Sequence, residues 1–177
     1  NNFKISPHEA ELFVACFQPK NYLKGDTFIR VGEVSHKIGF VEKGMLKCVL
    51  IGSDKEVIDD FVFENQFVAN YHSFLTKKES TKEIVCMTDA KISITNREKI
   101  EALGQKYSFV EKVARLITEK LFVATHQKLE DLRILSAEER YLKLLKTNAK
   151  LLSKIPQYEI ASYLNVSPET VSRIRRK

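Results

Sequence analysis

The spacing of apolar residues changes character along the 177-residue chain. Between residues 21 and 98 they come in short runs broken by turn formers. Tyr22-Leu23 meets Lys24-Gly25-Asp26, Thr27-Phe28-Ile29 meets Gly32-Glu33, and Lys37 to Val41 runs into Lys43-Gly44. Met45 to Ile51 and Val57 to Phe63 are β-rich runs joined by Gly52-Ser53-Asp54, a pattern that predicts a hairpin. Ile84 to Met87 and Lys91 to Thr95 complete the set. Gly25, Gly32, Gly39, Gly44 and Gly52 all fall in this stretch, and turn signals at regular intervals between short strands predict a jelly roll or barrel. Ahead of it, residues 1–20 predict a short helical lead-in. Ser6-Pro7-His8-Glu9 is its start signal, and Leu12, Phe13 and Phe17 form its apolar stripe.

From Ser108 to Leu132 there is neither Gly nor Pro. Val110, Ala114, Ile117, Leu121 and Ala124 alternate four- and three-residue steps, the spacing of a helix–helix seam. Phe109, Val113, Leu116 and Val123 add a second stripe. A helix with two apolar faces has two things to pack against, here its own roll and a partner subunit. About 25 residues at ~1.5 Å each give a rod of about 37 Å. Ser136-Ala137-Glu138-Glu139 is a capping box that opens another helix through Leu152, with Tyr141, Leu144, Leu145 and Leu151 as its core side. Leu135-Ser136 marks the hinge before it.

The last 23 residues read as a helix-turn-helix. Pro156 suits a first helical turn, Ile160, Ala161 and Leu164 form one stripe, and the small Ala161 admits a close crossing. Asn165 tolerates the left-handed backbone that a tight turn needs. Ser167 is an N-cap with Pro168 behind it. Val171 and Ile174 face inward, while Glu169, Ser172, Arg173 and Arg176 form the opposite face. A carboxylate can accept from cytosine N4, and a guanidinium can bind guanine O6 and N7.

Charge sharpens this reading. The net charge is +6. Residues 133–177 hold ten Lys/Arg against four Asp/Glu, and residues 1–132 hold nineteen of each, so the whole excess lies beside the helix-turn-helix. Cys16, Cys48 and Cys86 are far apart with no C-x-x-C pair, which points to buried thiols in a reducing cytoplasm. Redox sensing by Cys16 is the lesser alternative. No run approaches 18 apolar residues, so no membrane association is expected. No metal site and no cofactor are expected. The chain opens at Asn1 rather than Met and stops at the end of the last predicted helix, which leaves open a trimmed leader and a following wing.

These features together resemble the Crp/Fnr family of bacterial transcription regulators. Ser167 to Arg173 is similar to its S-R-E-T-V-x-R signature. Lys24-Gly25-Asp26, Gly32-Glu33 and Lys43-Gly44 resemble the roll's turn glycines, and Ser136 to Arg140 resembles the start of the helix after the hinge. The resemblance implies an α+β fold: a cyclic-nucleotide-binding-like sensor roll over 1–107, a long dimerisation helix and hinge over 108–134, and a DNA-binding unit over 135–177. It implies base reading by Glu169 and Arg173, with Ser167, Thr170 and Gln157 near phosphates and Ser172 and Arg176 on the same DNA face. It implies a homodimer seamed by Val110, Ala114, Ile117, Leu121 and Ala124, a near-palindromic double-stranded operator, and RNA polymerase as a further partner.

The chain departs from the family at four places. Pro168 stands where an Arg often reads guanine, and Pro156 replaces a usual Thr. Ala69-Asn70 stands where cyclic-AMP binders have Gly-Glu, and Ser80-Thr81 where they have Arg-Ser. The ribose hydroxyl needs that carboxylate and the cyclic phosphate that cation, so control by cyclic AMP is not expected and the effector is left unknown. The four-cysteine cluster arrangement of the oxygen-sensing branch is also missing.

Two other classes compete. One is a ligand-binding or protein-interaction module of the same fold with vestigial DNA binding, favoured by the lost cassette residues and Pro168. The other is a cupin-like enzyme, which needs clustered histidines and a carboxylate. His8, His36, His72 and His126 are scattered with no H-x-H, and no nucleophile–base pair stands out. The chain is therefore read as no enzyme.

Overall fold

The computed structural model describes residues 5–176 and, within them, all side chains except those of 147–152. The chain opens with helix α1 (Pro7–Ala15), closed at its start by the reciprocal capping box of Ser6 and Glu9. The helical lead-in is shorter than the sequence predicts. Residues from Gln18 on already form strand β1 (Gln18–Tyr22), and Phe17 lies between the two elements. Pro19 is tolerated there because β1 sits at a sheet edge, where the missing N–H breaks no ladder bond.

The roll continues with β2 (Thr27–Ile29), β3 (Lys37–Lys43), β4 (Leu46–Ile51), β5 (Glu56–Val62), β6 (Phe67–Val68), helix α2 (Tyr71–Thr76), β7 (Lys82–Cys86) and β8 (Ala90–Asn96). Two four-stranded antiparallel sheets result, in the orders β1-β8-β3-β6 and β2-β7-β4-β5. The Gly52 turn closes the β4–β5 hairpin as its sequence predicts, with Gly52 N–H donating to the Lys55 carbonyl at 2.9 Å. Phe28, Val41, Leu46, Val68, Ile84 and Ile92 pack between the sheets, each nearly sealed from solvent. Gly39 is no turn former. It lies inside β3, and a Cβ there would come 2.6 Å from Ile92 Cγ2 and 2.9 Å from Val68 Cγ1, so the inter-sheet packing leaves room only for hydrogen.

Helix α3 (Arg97–Lys106) follows, capped by Asn96 on the Lys99 N–H. The sequence reading leaves both α2 and α3 unassigned. Helix α4 (Phe109–Ile134) runs 26 residues, about 39 Å at ~1.5 Å per residue. Its first turns pack Phe109, Val110 and Val113 against Ile5, with Leu12 and Phe13 of α1 and Ile100 and Leu103 of α3 around them. Leu135 is extended and ends α4; Ser136 and Glu139 then exchange the predicted capping bonds and start α5 (Ala137–Leu152). Tyr141 and Leu144 are buried and Leu145 is half-buried, whereas the side chain of Leu151 lies outside the described residues. Helices α6 (Gln157–Leu164) and α7 (Pro168–Arg176) complete the fold. No helix among the described residues is long and apolar enough to cross a membrane.

A further core joins the roll to the last three helices. Met45, Ile58, Phe61 and Phe63 of the roll meet Tyr141, Leu144, Ile155, Ile160, Leu164 and Val171 of the last three helices. The α5–α7 unit is therefore docked on the roll, with Phe61 and Tyr163 rings 5.5 Å apart across the junction.

Candidate nucleic-acid interface

Helix α6 ends as the sequence predicts. Asn165 adopts a left-handed conformation (φ 54°, ψ 48°), and the Val166 and Asn165 N–H groups return to the carbonyls of Ala161 and Ser162. Pro156 is the residue before the helix rather than its first turn. Ile160, Ala161, Leu164 and Val171 are all essentially inaccessible, so the α6–α7 crossing is close-packed around the small Ala161. Arg140 of α5 donates to the Leu164 carbonyl at 3.0 Å and satisfies an orphan acceptor at the end of α6.

This packing aims α7. Ser167 caps it, accepting from the Thr170 N–H at 3.3 Å. Ser167, Glu169, Arg173 and Arg176 are exposed, while Gln157, Thr170 and Ser172 are half-buried on the same side. Bonds from the Ser167 hydroxyl and from the backbone hold the Glu169 carboxyl below its usual range, so it is ionised and acts only as an acceptor. Arg173 leans on Thr170 Oγ1 at 3.3 Å, and neither Arg173 nor Arg176 pairs with a carboxylate among the described residues. Gln157 donates to the Pro168 carbonyl at 2.5 Å and so ties the starts of α6 and α7 together. Arg175 is also exposed but is engaged with its own fold: its Nε donates to Tyr141 Oη at 3.0 Å and its guanidinium lies 5.9 Å from that ring. Three arginines cluster in the sequence, and only the fold separates Arg175, held by Tyr141, from the two without such a tie.

In the roll, Asn70 and Ser80, which the family resemblance aligns with the cyclic-nucleotide anchors, are bonded to each other. Asn70 is buried, caps α2 through the Ser73 N–H at 3.2 Å, and donates from Nδ2 to Ser80 Oγ at 2.6 Å. Ser80 in turn donates to the Lys82 carbonyl at 2.6 Å. Both side chains are spent on the protein's own structure, and neither carries charge. Burial pushes the Cys48 thiol up to about 12 and the Cys86 thiol to about 11, so both act as apolar fillers rather than nucleophiles. No group of three or more His, Cys, Asp or Glu residues suited to a metal ion occurs among the described residues.

The seam positions on α4 fall in different settings. Val110 is buried within the protomer and Ile117 is half-buried against the same core. Ala114 and Leu121 are exposed, and Ala124 lines a cleft of about 330 Å³ shared with Lys128, Arg140 and Tyr163. Phe122, Val123, Leu129, Leu132 and Ile134 also stand open, at 69%, 65%, 43%, 51% and 79% exposure. Apart from Val123, these lie off the stripes read from sequence.

The junction between roll and helices also carries charge that the sequence reading misses. Lys47 of β4 pairs with Glu159 of α6, which is buried. Lys128 of α4 donates to the Asp59 carbonyl and lies 5.4 Å from the Tyr163 ring, and Ile58 N–H donates to Ser162 Oγ at 3.0 Å. These contacts span 112, 69 and 104 residues of sequence, which no local pattern reports.

Residues 19–107, half of the chain, match the cyclic nucleotide-binding domain family. Comparison with curated proteins finds no match. Among solved structures, the Thermus thermophilus catabolite activator protein is 22% identical, with 99% of this chain and 85% of that one covered at a TM-score of 0.61. The c-di-GMP-responsive global regulator CLP of Xanthomonas campestris is 18% identical, with 97% and 90% covered at a TM-score of 0.69. A regulator described as of the Crp/Fnr family from Eubacterium rectale is 15% identical, with 99% and 87% covered at a TM-score of 0.71. At such identities the likeness carries the fold, and that fold is the α+β arrangement of roll, long helix and terminal helices described above. The chain belongs to the cyclic nucleotide-binding domain family and has the fold of the Crp/Fnr transcription regulators.

Proposed function

We propose that the protein is a homodimeric, sequence-specific DNA-binding transcription regulator that does not respond to cyclic AMP. The carrying observation is α7: a close-packed α6–α7 crossing holds it while Glu169, Arg173 and Arg176 point to solvent. A rigidly seated helix with one ionised acceptor and two unpaired guanidiniums suits the major groove, where both kinds of base edge are on offer. Ser167, Thr170, Ser172 and Gln157 flank it within reach of the backbone phosphates. Residues 1–107 serve as sensor, 108–134 as dimerisation helix and hinge, and 135–177 as the DNA-binding unit. It acts as a regulator in the cytoplasm and not as an enzyme, with RNA polymerase as a further partner.

Dimerisation is supported by the open apolar residues on the C-terminal half of α4, since a soluble surface rarely leaves so many together. Val110 contributes from within, by fixing α4 on its own core, while Ala114, Ile117, Leu121 and Ala124 lie nearer the partner. Two recognition helices related by a twofold axis would meet successive major grooves about 34 Å apart. Independence from cyclic AMP is supported by the Asn70–Ser80 bond, which occupies both anchor positions with neutral groups. Selection from a random duplex pool, read against light scattering for oligomeric state, tests the reading. Enrichment of a near-palindrome by a dimer is expected. A monomer that enriches nothing at low salt overturns it.

A further inference from the structure

On the outer face of the sheet that carries β3 and β6 lies an apolar pocket of about 210 Å³, whose lining includes Ala69 and Tyr71 but neither Asn70 nor Ser80. Six elements wall it or border it: α1 with Phe17 two residues beyond it, β3, β6, α2, α3 and α4. Phe13, Phe17, Phe67, Phe74, Val113 and Ile117 supply much of the surface, and no residue lining it is charged. The rings are tilted rather than stacked flat, with Phe17 and Phe67 6.4 Å apart at 55° and Phe13 and Phe17 5.5 Å apart at 55°. Edges and faces are thus both offered to a further ring, the geometry aromatic groups prefer.

The one hydroxyl in the lining, on Tyr71, is already committed. Thr118 Oγ1 donates to the Ala114 carbonyl at 2.8 Å, so in the 2.8 Å contact between Tyr71 and Thr118 the phenol is the donor. What remains toward the pocket is a lone pair and no donor. A carboxylate, phosphate or sulfonate would find no donor among the lining residues, since the Arg97 guanidinium, 4.5 Å from the Phe74 ring, is not one of them, and an ammonium would find no counter-charge in the lining. Water is poorly served as well, because it needs two to four polar partners. An engineered apolar cavity of about 150 Å³ binds benzene; this pocket is larger and opens to solvent at Phe67, Leu75 and Leu121.

We propose that this pocket is a binding site for an uncharged aromatic small molecule somewhat larger than benzene. Ala114, Ile117 and Leu121 lie in its wall and also in the α4 seam, so a second copy would roof the ligand. The ligand would then bear directly on how two α4 helices meet. That regulatory role rests on the dimeric reading above; the site itself does not.

The test uses the full chain and α-naphthylamine, a neutral two-ring fluorophore that brightens in apolar surroundings. Saturable enhancement with one site per chain is expected. The Ala69→Leu variant, which fills the wall, should weaken binding by about tenfold or more. Leu75→Glu puts a charge at the rim on a residue that is 55% exposed, so folding is little at risk, and it should weaken binding several-fold. The sulfonated analogue of the probe should bind at least about tenfold more weakly than the parent, for want of a counter-charge. Non-saturable signal, equal binding by both variants, or equal binding of the sulfonate overturns the site; so does a dimer that excludes the probe because its own helices fill the space. A chain that binds the probe and enriches no duplex keeps the site and sinks the regulator reading. A chain that selects an operator and leaves the probe free does the reverse.

Discussion

Replacing Lys47 with Met should destabilise the protein far more than removing one surface lysine would. Glu159 sits on α6 against the roll with only 5% of its side chain exposed, and Lys47 is its partner, at 26%. One carboxylate oxygen, Oε2, is buried without a further hydrogen-bond partner, so the ion pair is the main compensation this charge receives. Breaking a fully buried pair from one side costs about 3–5 kcal/mol. Lys47 is partly wetted, so the lower end is appropriate, about 2–3 kcal/mol after that discount. With a urea m-value of about 2–3 kcal/mol/M, the midpoint should fall by roughly 1 M. Glu159→Leu alone leaves a lysine that can swing toward water and should cost about 1 kcal/mol.

The double variant is the decisive one. Met and Leu at these positions bury no charge, and position 47 stands between its cross-strand neighbours Phe61 and Val85. Pairs of this kind exchanged for apolar residues are often neutral or stabilising. The double variant should therefore recover most of the loss, giving a coupling of at least about 1.5 kcal/mol in the mutant cycle. Circular dichroism in urea measures it, with the m-value watched for a second transition as the α5–α7 unit comes loose from the roll. A Lys47→Met midpoint within about 0.2 M of the parent, or a double variant no better than the single, would refute the reasoning.

Three further outcomes follow from the same geometry. Arg173→Ala should cost about 1–3 kcal/mol of specific DNA binding and relax preference at one base position with stability unchanged, whereas Arg175→Ala should lower stability through the lost Tyr141 contact; identical effects of the two in footprinting and melting would contradict the assigned orientations. Burial tends to raise the Asp59 carboxyl, but its bond from Lys82 and the nearby Lys128 outweigh this and hold it below the ordinary value; its stabilisation is present above the unfolded value of about 3.9 and lost as pH falls through the lower folded one, so the cost of Asp59→Asn, roughly 1 kcal/mol at neutral pH, should shrink on acidification in paired urea titrations. Thiol reagents should label the half-buried Cys16 in the native protein and reach Cys48 and Cys86 only after unfolding; three thiols reacting at one rate would disprove that burial.

Local chemistry explains which parts were legible in the sequence. The Ser6 and Ser136 caps, the Asn165 turn and the Ser167-Pro168 start are each written within four residues, and each forms as written. The β4–β5 hairpin is likewise local. Helix α3 was within reach, since Asn96 caps it and Ile100 and Leu103 keep helical spacing. Helix α2 was not, because its six residues span less than two turns and carry no usable period. Gly39 misleads for a different reason: its neighbours Ile92 and Val68 come from strands 53 and 29 residues away, and only their arrival shows why a side chain is barred. The Lys47–Glu159 pair and the bond of Arg175 to Tyr141 are of the same long-range kind.

The docked arrangement also constrains how a sensor could govern DNA binding. The roll touches the α5–α7 unit through Met45, Ile58, Phe61 and Phe63, and Lys128 of α4 bridges Asp59 of the roll and the Tyr163 ring of α6. A change at the pocket by α2 therefore has two routes to α7, one through the position of α4 and one through the sheet that carries β4 and β5. A ligand shifts such an equilibrium only by its difference in affinity between two arrangements. The pocket wall supplies a means for that difference, because Val113, Ile117 and Leu121 belong to α4 while Phe67 and Ala69 belong to the roll. Any movement of α4 over the roll changes the pocket's shape. A ligand fitted to one shape would then hold α4, Lys128 and the helices seated on Phe61 in the matching register, and that register sets where Arg173 points.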